Sequence, residues 1–90
     1  MSNVKVEFGK RLKMVRLASK WRTQAAFAQA IGREEGAYGR WERGEVEPGL
    51  LDLQKIREST GISLDFLVAG DLAGVMRPAS AQVRLIPKKA

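Results

Sequence analysis

Apolar residues recur at helical spacing in five short segments of this 90-residue chain, and a glycine or a polar run follows each segment. The first segment shows the spacing i, i+4, i+8 and i+11, which places four residues on one face of a helix: Val4, Phe8, Leu12 and Val15. The alternation of apolar and polar residues that is typical of strands is nearly absent before residue 82. The pattern therefore predicts an all-α fold of short helices that each bury one apolar face.

Caps and breakers predict four more helices, at residues 24–31, 34–43, 50–60 and 64–68. Thr23 and Ser63 are expected to be N-caps, because their hydroxyl oxygens can accept from an N–H group of the first turn. A glycine follows each of these helices within two residues, as expected where a helix ends at a positive φ.

Helical periodicity is lost after residue 70, and Pro78 and Pro87 oppose a long helix in the remaining chain. We therefore expect one domain over residues 1–70. Residues 71–90 are expected to form a C-terminal tail that is flexible or becomes ordered by a partner or in a dimer.

The net charge of +6 lies entirely in the first half of the chain. Residues 1–44 contain 10 Lys or Arg and 4 Asp or Glu, whereas residues 45–90 contain 6 of each. A small basic domain without cysteine is typical of proteins that bind nucleic acid or an acidic partner.

The chain contains neither histidine nor cysteine, which excludes several kinds of site. Ordinary zinc sites, disulfide frames, cysteine nucleophiles and Ser–His pairs all need one of these residues. The carboxylates are scattered or lie at helix ends, and no glycine-rich loop is placed to bind a phosphate. We therefore expect no enzyme activity, no catalytic residue, no metal and no cofactor. No apolar run approaches the ~20 residues that span a bilayer, so no membrane partner is expected.

A helix-turn-helix needs a small residue where its helices cross, a glycine in the turn and large apolar residues on the second helix. Residues 24–43 provide this set as Ala28, Gly32, Tyr38 and Trp41. Further motifs follow in order along the chain: Phe8-Gly9-x-x-Leu12-x-x-x-Arg16, Thr23-Gln24, Trp41-Glu42-Arg43-Gly44, Pro48 and Gly61-Ile62-Ser63-Leu64-Asp65-x-Leu67. Over roughly residues 5–70, the chain resembles the phage repressor/Cro-type (XRE-like) helix-turn-helix family.

The resemblance implies a five-helix, repressor-like DNA-binding domain with its helix-turn-helix at about residues 24–43. It implies a sequence-specific transcriptional regulator, bacterial or phage-encoded, that acts in the cytoplasm at the nucleoid. Such a regulator binds double-stranded DNA, and as a homodimer it would need a near-palindromic operator. Two alternatives with the same fold stay open. One is a protein-interaction module such as an antirepressor-like co-regulator, and the other is the antitoxin of a toxin–antitoxin pair, whose tail binds the toxin.

Four residues match family positions that reach base edges: Glu34, Glu35, Gly36 and Arg40. Family members commonly have Ser, Thr, Gln or Arg there, whereas two carboxylates open this recognition helix. The carboxylates complement the helix dipole but repel phosphates. A glutamate can accept from cytosine N4, and Arg40 can hold guanine O6 and N7. The chain also has Arg33 where an apolar residue usually follows the turn glycine.

Phosphate contacts are implied for Gln24, at the first turn of the second helix, and for Arg43, after the Trp-Glu pair. Other basic residues are candidates because the motif lies inside the basic half of the chain: Lys10, Lys13, Lys20, Arg22 and Arg33. For any one of them, a solvated basic face is the alternative.

The resemblance further implies an ion pair between Arg16 and Glu42 that ties the first helix to the end of the third. Tyr38 and Trp41 match core positions, and we interpret them as packing residues.

Leu51 and Phe66 stand where the family pattern is usually polar. Together with Val68 and Leu72, they are a candidate dimer patch near the C-terminal side. The alternative is that Leu51 and Phe66 fold over the core of their own domain or under the tail.

Overall fold

The computed structural model describes residues 3–70, which form five helices and no strand. In chain order the helices are α1 (Val4–Ala18), α2 (Gln24–Ala30), α3 (Glu35–Glu42), α4 (Leu50–Thr60) and α5 (Leu64–Ala69). The predicted all-α fold is confirmed, and the ends of the helices lie within one residue of the predicted bounds. No helix within this described part is long and apolar enough to cross a membrane. The predicted tail at residues 71–90 lies outside the described residues.

Side-chain caps fix where three helices begin. Thr23 Oγ1 accepts from the N–H of Ala26 at 3.1 Å, and Ser63 Oγ accepts from the N–H of Phe66 at 3.1 Å. Asn3, which the periodicity does not single out, caps α1 in the same way through its Oδ1. Helices α4 and α5 are both followed by a glycine with a left-handed φ of 76° or 77°, which stops each helix where the sequence predicts.

The core lies where α1 packs against α3 and α5, with α2 packed on α3. Its largest fully buried side chains come from all five helices: Leu12, Phe27, Tyr38, Ile56 and Leu67. This distribution explains why none of the short helices has to be stable alone, since each is held by the apolar face that it buries.

The prediction of Phe66 as part of an exposed dimer patch is wrong, because that side chain is 7% exposed and belongs to the core. The cap at Ser63 starts α5 so that Phe66 and Leu67 both face inward. Leu51 is 71% exposed and stays a candidate for an interface. Leu72 lies outside the described residues.

Gly9 allows α1 to approach the end of α3 very closely. A Cβ atom at this position would lie 2.6 Å from the carbonyl oxygen of Trp41, a separation that real Cβ contacts do not show. The backbone of α1 therefore rests directly on the last turn of α3. A larger residue at position 9 would push α1 and α3 apart.

Arg11 connects α1 to the end of α5. Its Nε donates to the carbonyl oxygen of Leu67 at 2.9 Å, and its Nη2 donates to that of Val68 at 3.0 Å. Carbonyl groups at a helix C-terminus lack hydrogen-bond donors within the helix and carry a partial negative charge. A guanidinium at this position donates hydrogen bonds to them, and its positive charge interacts favourably with the helix dipole.

Candidate nucleic-acid interface

The small residue predicted for the helix-turn-helix, Ala28, is buried, and α2 packs against α3. Ala28 is 1% exposed, and its carbonyl oxygen accepts from the N–H of Arg33 at 2.8 Å. Gly32 forms the turn between the helices with a φ of +75°. This backbone conformation is unfavourable for residues that have a Cβ atom, and glycine adopts it readily. The rings of Phe27 and Tyr38 meet edge to face, with their centroids 5.4 Å apart. The sequence 24–43 thus folds into two packed helices with a glycine turn.

The four residues with predicted base contacts are all exposed, at the start and along the outer side of α3. Gly36 and Arg40 are one turn apart and share a face. A Cβ atom at Gly36 would meet nothing within 4 Å, so the surface is open at that point. The structure therefore brings these residues together at one accessible edge of the protein.

Glu34 and Glu35 leave a concentrated negative charge at the start of α3. Glu34 is the N-cap residue, and its side chain forms no capping hydrogen bond. Within residues 3–70, neither glutamate takes part in an ion pair. Their oxygens are thus free to accept hydrogen bonds from a molecule that approaches this end of the helix.

A buried ion pair connects α1 to the C-terminal end of α3. Arg16 Nε and Glu42 Oε2 are 2.7 Å apart, and the two side chains are only 5% and 3% exposed. The guanidinium also donates through Nη1 to the carbonyl oxygen of Arg22 at 2.7 Å. Tyr38 donates its hydroxyl to the same carboxylate oxygen, and Gln24 Nε2 donates to Glu42 Oε1 at 2.8 Å. Glu42 therefore joins α1, α2 and α3.

These hydrogen bonds decide the charge state of the network. Burial alone would raise the pKa of Glu42, but the hydrogen bonds from Arg16, Tyr38 and Gln24 outweigh it and hold the pKa below its ordinary value. The hydrogen bond to Glu42 raises the pKa of Arg16, and burial raises the pKa of Tyr38. The site is thus a charged Arg–Glu pair with a neutral phenol at neutral pH.

Gln24 and Arg43 lie over Gly39. A Cβ atom at Gly39 would lie 3.2 Å from Gln24 Oε1 and 3.1 Å from Arg43 Nη1, so the bare backbone leaves room for both side chains. Arg43 Nε pairs with Glu45 Oε2 at 2.7 Å, with both side chains more than half exposed. The hydrogen bond between them raises the pKa of Arg43 and lowers that of Glu45.

Arg33 forms an ion pair that the sequence reasoning missed. Its Nη2 donates to Asp52 Oδ2 at 3.0 Å, and its Nε lies at an ion-pair distance of 2.9 Å from Oδ1. The guanidinium is therefore in bidentate contact with the carboxylate, through one hydrogen bond and one ion-pair contact. The guanidinium also lies over the ring of Trp41, 5.7 Å from the centroid. The only signal in the sequence is that an arginine stands where the family pattern is apolar. That signal does not identify a partner nineteen residues further along the chain.

The remaining predicted phosphate contacts lie on the surface. Lys13 and Arg22 are exposed. Lys20 lies over the ring of Trp21 at 5.5 Å from its centroid, and Lys10 pairs with Glu7 at 3.7 Å. Exposed cations of this kind can contact a polyanion with little loss of internal structure.

A family model described as helix-turn-helix matches residues 12–67. The chain is 41% identical over 63 residues to the prophage SPbeta HTH-type transcriptional regulator YonR of Bacillus subtilis (strain 168), covering 70% of this chain and 57% of that one. It is 33% identical over 67 residues to the control protein C.MunI of Mycoplasma sp, covering 74% of this chain and 90% of that one.

Among solved structures, the chain is similar to the P22 c2 repressor protein in complex with synthetic operator 9T. The TM-score is 0.65 at 34% identity, and the match covers 71% of this chain and 96% of the repressor chain. The match spans just over half the length of YonR and 23% of a second HTH-type regulator, from Haemophilus influenzae.

Proposed function

Since the chain belongs to the helix-turn-helix family, we propose that it is a repressor/Cro-type transcriptional regulator that binds a near-palindromic operator as a homodimer. Its place of action would be the nucleoid, in the cytoplasm of a bacterium or of a phage-infected cell. The single observation that carries the proposal is the exposed edge of α3 within the basic half of the chain. The similar P22 c2 repressor, which was solved with operator DNA, supports it.

Arg40 is the proposed reader of guanine. Its exposed guanidinium, on the face shared with Gly36, can donate two hydrogen bonds to O6 and N7 in the major groove. Gly36 adds no side chain on this face, so the backbone of α3 can come close to the bases. Glu34 and Glu35 would then accept from cytosine N4, whose amino group is the donor that a carboxylate can read in the major groove.

Phosphate contacts are proposed for Arg43, Arg22 and three exposed lysines of the basic half, Lys10, Lys13 and Lys20. Gln24 contributes as well, since its amide uses one of its two N–H groups on Glu42 and keeps the other. Arg33 is not proposed for this role, because Asp52 holds its guanidinium by one hydrogen bond at Nη2 and one ion-pair contact at Nε. Each phosphate contact positions α3 without reading sequence.

The homodimer is proposed to form through the start of α4. Leu50 is 79% exposed and Leu51 is 71% exposed. The two neighbouring leucines form an apolar surface whose contact with water is unfavourable, which favours its burial in an interface. A two-fold dimer would present two copies of α3 about 34 Å apart, which is one turn of DNA. The tail at residues 71–90 is proposed to contribute to this dimer or to bind another protein partner.

The first experiment selects binding sites from random duplex DNA with the purified protein and then measures affinities by fluorescence anisotropy. Arg40→Ala should weaken the selected site by about 1–3 kcal/mol and leave a scrambled duplex nearly unchanged. Lys13→Ala should weaken both duplexes alike and lower the salt slope by about 0.9. Arg57→Ala removes the same charge from α4 as a control. Absence of any enriched motif at moderate salt would point instead to the protein-interaction module.

The second experiment measures mass by sedimentation equilibrium. Leu51→Glu should give a folded monomer, because a carboxylate cannot be buried unpaired in an apolar contact. Leu17→Glu is the matched control, since Leu17 is 52% exposed on α1, outside the proposed contact. A Leu51→Glu protein that sediments as a dimer would refute this interface.

A further inference from the structure

The pair of Arg33 and Asp52 lies between the turn of the helix-turn-helix and the start of α4. Arg33 directly precedes Glu34, the N-cap of α3, and its backbone N–H is already bound to Ala28. Asp52 is in the first turn of α4, where it also accepts from the N–H of Gly49 at 3.0 Å. The carboxylate therefore joins two chain segments that no other side-chain hydrogen bond within residues 3–70 connects.

The geometry of this pair is restrictive. Both oxygens of Asp52 are engaged by Arg33, and the Asp52 side chain is only 12% exposed, although that of Arg33 is 46% exposed. A bidentate guanidinium–carboxylate contact fixes orientation as well as distance. The ring of Trp41, on α3 itself, covers the guanidinium at 5.7 Å. Arg33 is thus held between α3 and α4.

We propose that Arg33 and Asp52 are positioning residues that set the direction of the first turn of α3, and thereby specificity for the operator rather than affinity for DNA in general. This inference rests on the proposed function. The pair touches no base in this role. It holds Glu34, Glu35 and Gly36 at the distance from α4 at which they meet base edges together with Arg40.

The competing role for Arg33 is a direct phosphate contact, and the two roles predict opposite results for its partner. If the pair positions α3, Arg33→Gln and Asp52→Asn both lose affinity for the selected duplex, by about tenfold each, comparable to the loss of one base contact. Both variants keep wild-type affinity for a scrambled duplex within about twofold, apart from the small effect of one charge. The double variant is no worse than either single one, because the two residues act as a unit.

If Arg33 contacts phosphate instead, Arg33→Gln weakens both duplexes alike and lowers the salt slope by about 0.9, whereas Asp52→Asn leaves affinity unchanged or improves it. That pair of results would overturn the proposal. Arg33→Lys separates the roles further. A lysine keeps a phosphate contact but cannot reproduce the bidentate fork, so positioning predicts a loss of specificity with this variant also. Arg57→Gln, the same change on α4, is the control and should leave the ratio of the two affinities unchanged.

Amide hydrogen exchange of the free protein tests the pair independently of DNA. Arg33→Gln and Asp52→Asn should speed exchange in the first turn of α3 and leave protection in α1 at its wild-type level. Two results together would refute the positioning role. The variants would lose protection throughout the domain, and the ratio of their affinities for the selected and scrambled duplexes would stay unchanged at a temperature where both are folded. The pair would then be only a stabilising contact. If the wild type selects no duplex, the proposed function fails. In that case, unchanged exchange in α3 of the variants would refute the positioning role, and faster exchange there would support it.

Discussion

The guanidinium of Arg16 and the carboxylate of Glu42 meet in the interior of the domain, where α1 passes behind the last turn of α3. Two of the three side-chain donors to this carboxylate, Tyr38 and Gln24, come from the helix-turn-helix itself. Glu42 therefore binds the motif to its scaffold. The orientation of the exposed face of α3 therefore depends on the Glu42 carboxylate, whose side chain is almost completely buried.

Removing one partner of this pair should be costly. Arg16→Met is expected to lower the free energy of unfolding by about 3–5 kcal/mol, because it leaves a buried carboxylate without its cation. Urea denaturation monitored by circular dichroism measures the loss. Lys10→Met is the control, since it breaks an exposed pair with Glu7 and should change stability by less than about 1 kcal/mol. Equal effects of the two variants would contradict the role assigned to burial.

Acid should remove the stabilisation that Glu42 provides. The pKa of this carboxyl lies below its ordinary value of 4.5 in the folded protein, so its contribution is complete above that value and is lost as the pH falls through the folded pKa. We expect the gap in unfolding free energy between wild type and Glu42→Gln to be largest near neutral pH and to shrink in acid below pH 4.5. Urea titrations across that range measure it. A difference in unfolding free energy that grows in acid would contradict a Glu42 pKa that is lowered in the folded protein.

Two glycines inside helices should respond in opposite ways to an added methyl group. Gly9→Ala should destabilise the domain by about 1–3 kcal/mol, because the Cβ atom would collide with the backbone at Trp41. Gly36→Ala should stabilise it by about 0.5–1 kcal/mol, since its surroundings are open and alanine favours a helix. Thermal unfolding gives both values.

DNA binding by the Gly36→Ala variant should change in the direction opposite to its stability. Gly36→Ala is expected to weaken binding to the selected duplex despite its higher stability, because the methyl group would stand between α3 and the bases. An unchanged affinity for that duplex would remove Gly36 from the proposed base-reading surface.

Releasing Arg43 from Glu45 should strengthen binding to any duplex. Glu45→Gln removes the carboxylate that engages Arg43 Nε at 2.7 Å, so the guanidinium becomes available to a phosphate. We expect a higher affinity for both selected and scrambled DNA, because Arg43 no longer has to give up its ion pair with Glu45 to contact a phosphate. Glu58→Gln makes the same charge change on the exposed side of α4. If both variants raise affinity equally, net charge rather than Arg43 explains the effect.

Local signals in the sequence are sufficient for the helices but not for the long-range polar contacts. Thr23 and Ser63 could be predicted as caps because a cap depends on residues two or three positions away. The helical face at Leu12 is likewise encoded in its own neighbourhood. The partner of Arg33 lies on another helix, and nothing near Arg33 in the sequence identifies Asp52.

The burial of Phe66 shows a second limit. Helix α5 has only six residues, so its apolar positions fit more than one inward face. The choice is made by packing against α1, where Phe66 and Leu67 enter the core and Val68 remains 47% exposed. Leu51, by contrast, belongs to the eleven-residue helix α4, and its exposed side follows from the inward positions Leu53 and Ile56.

The clamp that Arg11 places on the end of α5 acts on main-chain oxygens. Every amino acid carries such an oxygen, so the contact is indifferent to which side chains occupy the last turn. A substitution at Val68 therefore leaves both hydrogen bonds from Arg11 in place. The attachment of α5 to α1 thus depends on the main chain at this point, and exposed side chains of α5 can change while Arg11 continues to hold the end of the helix.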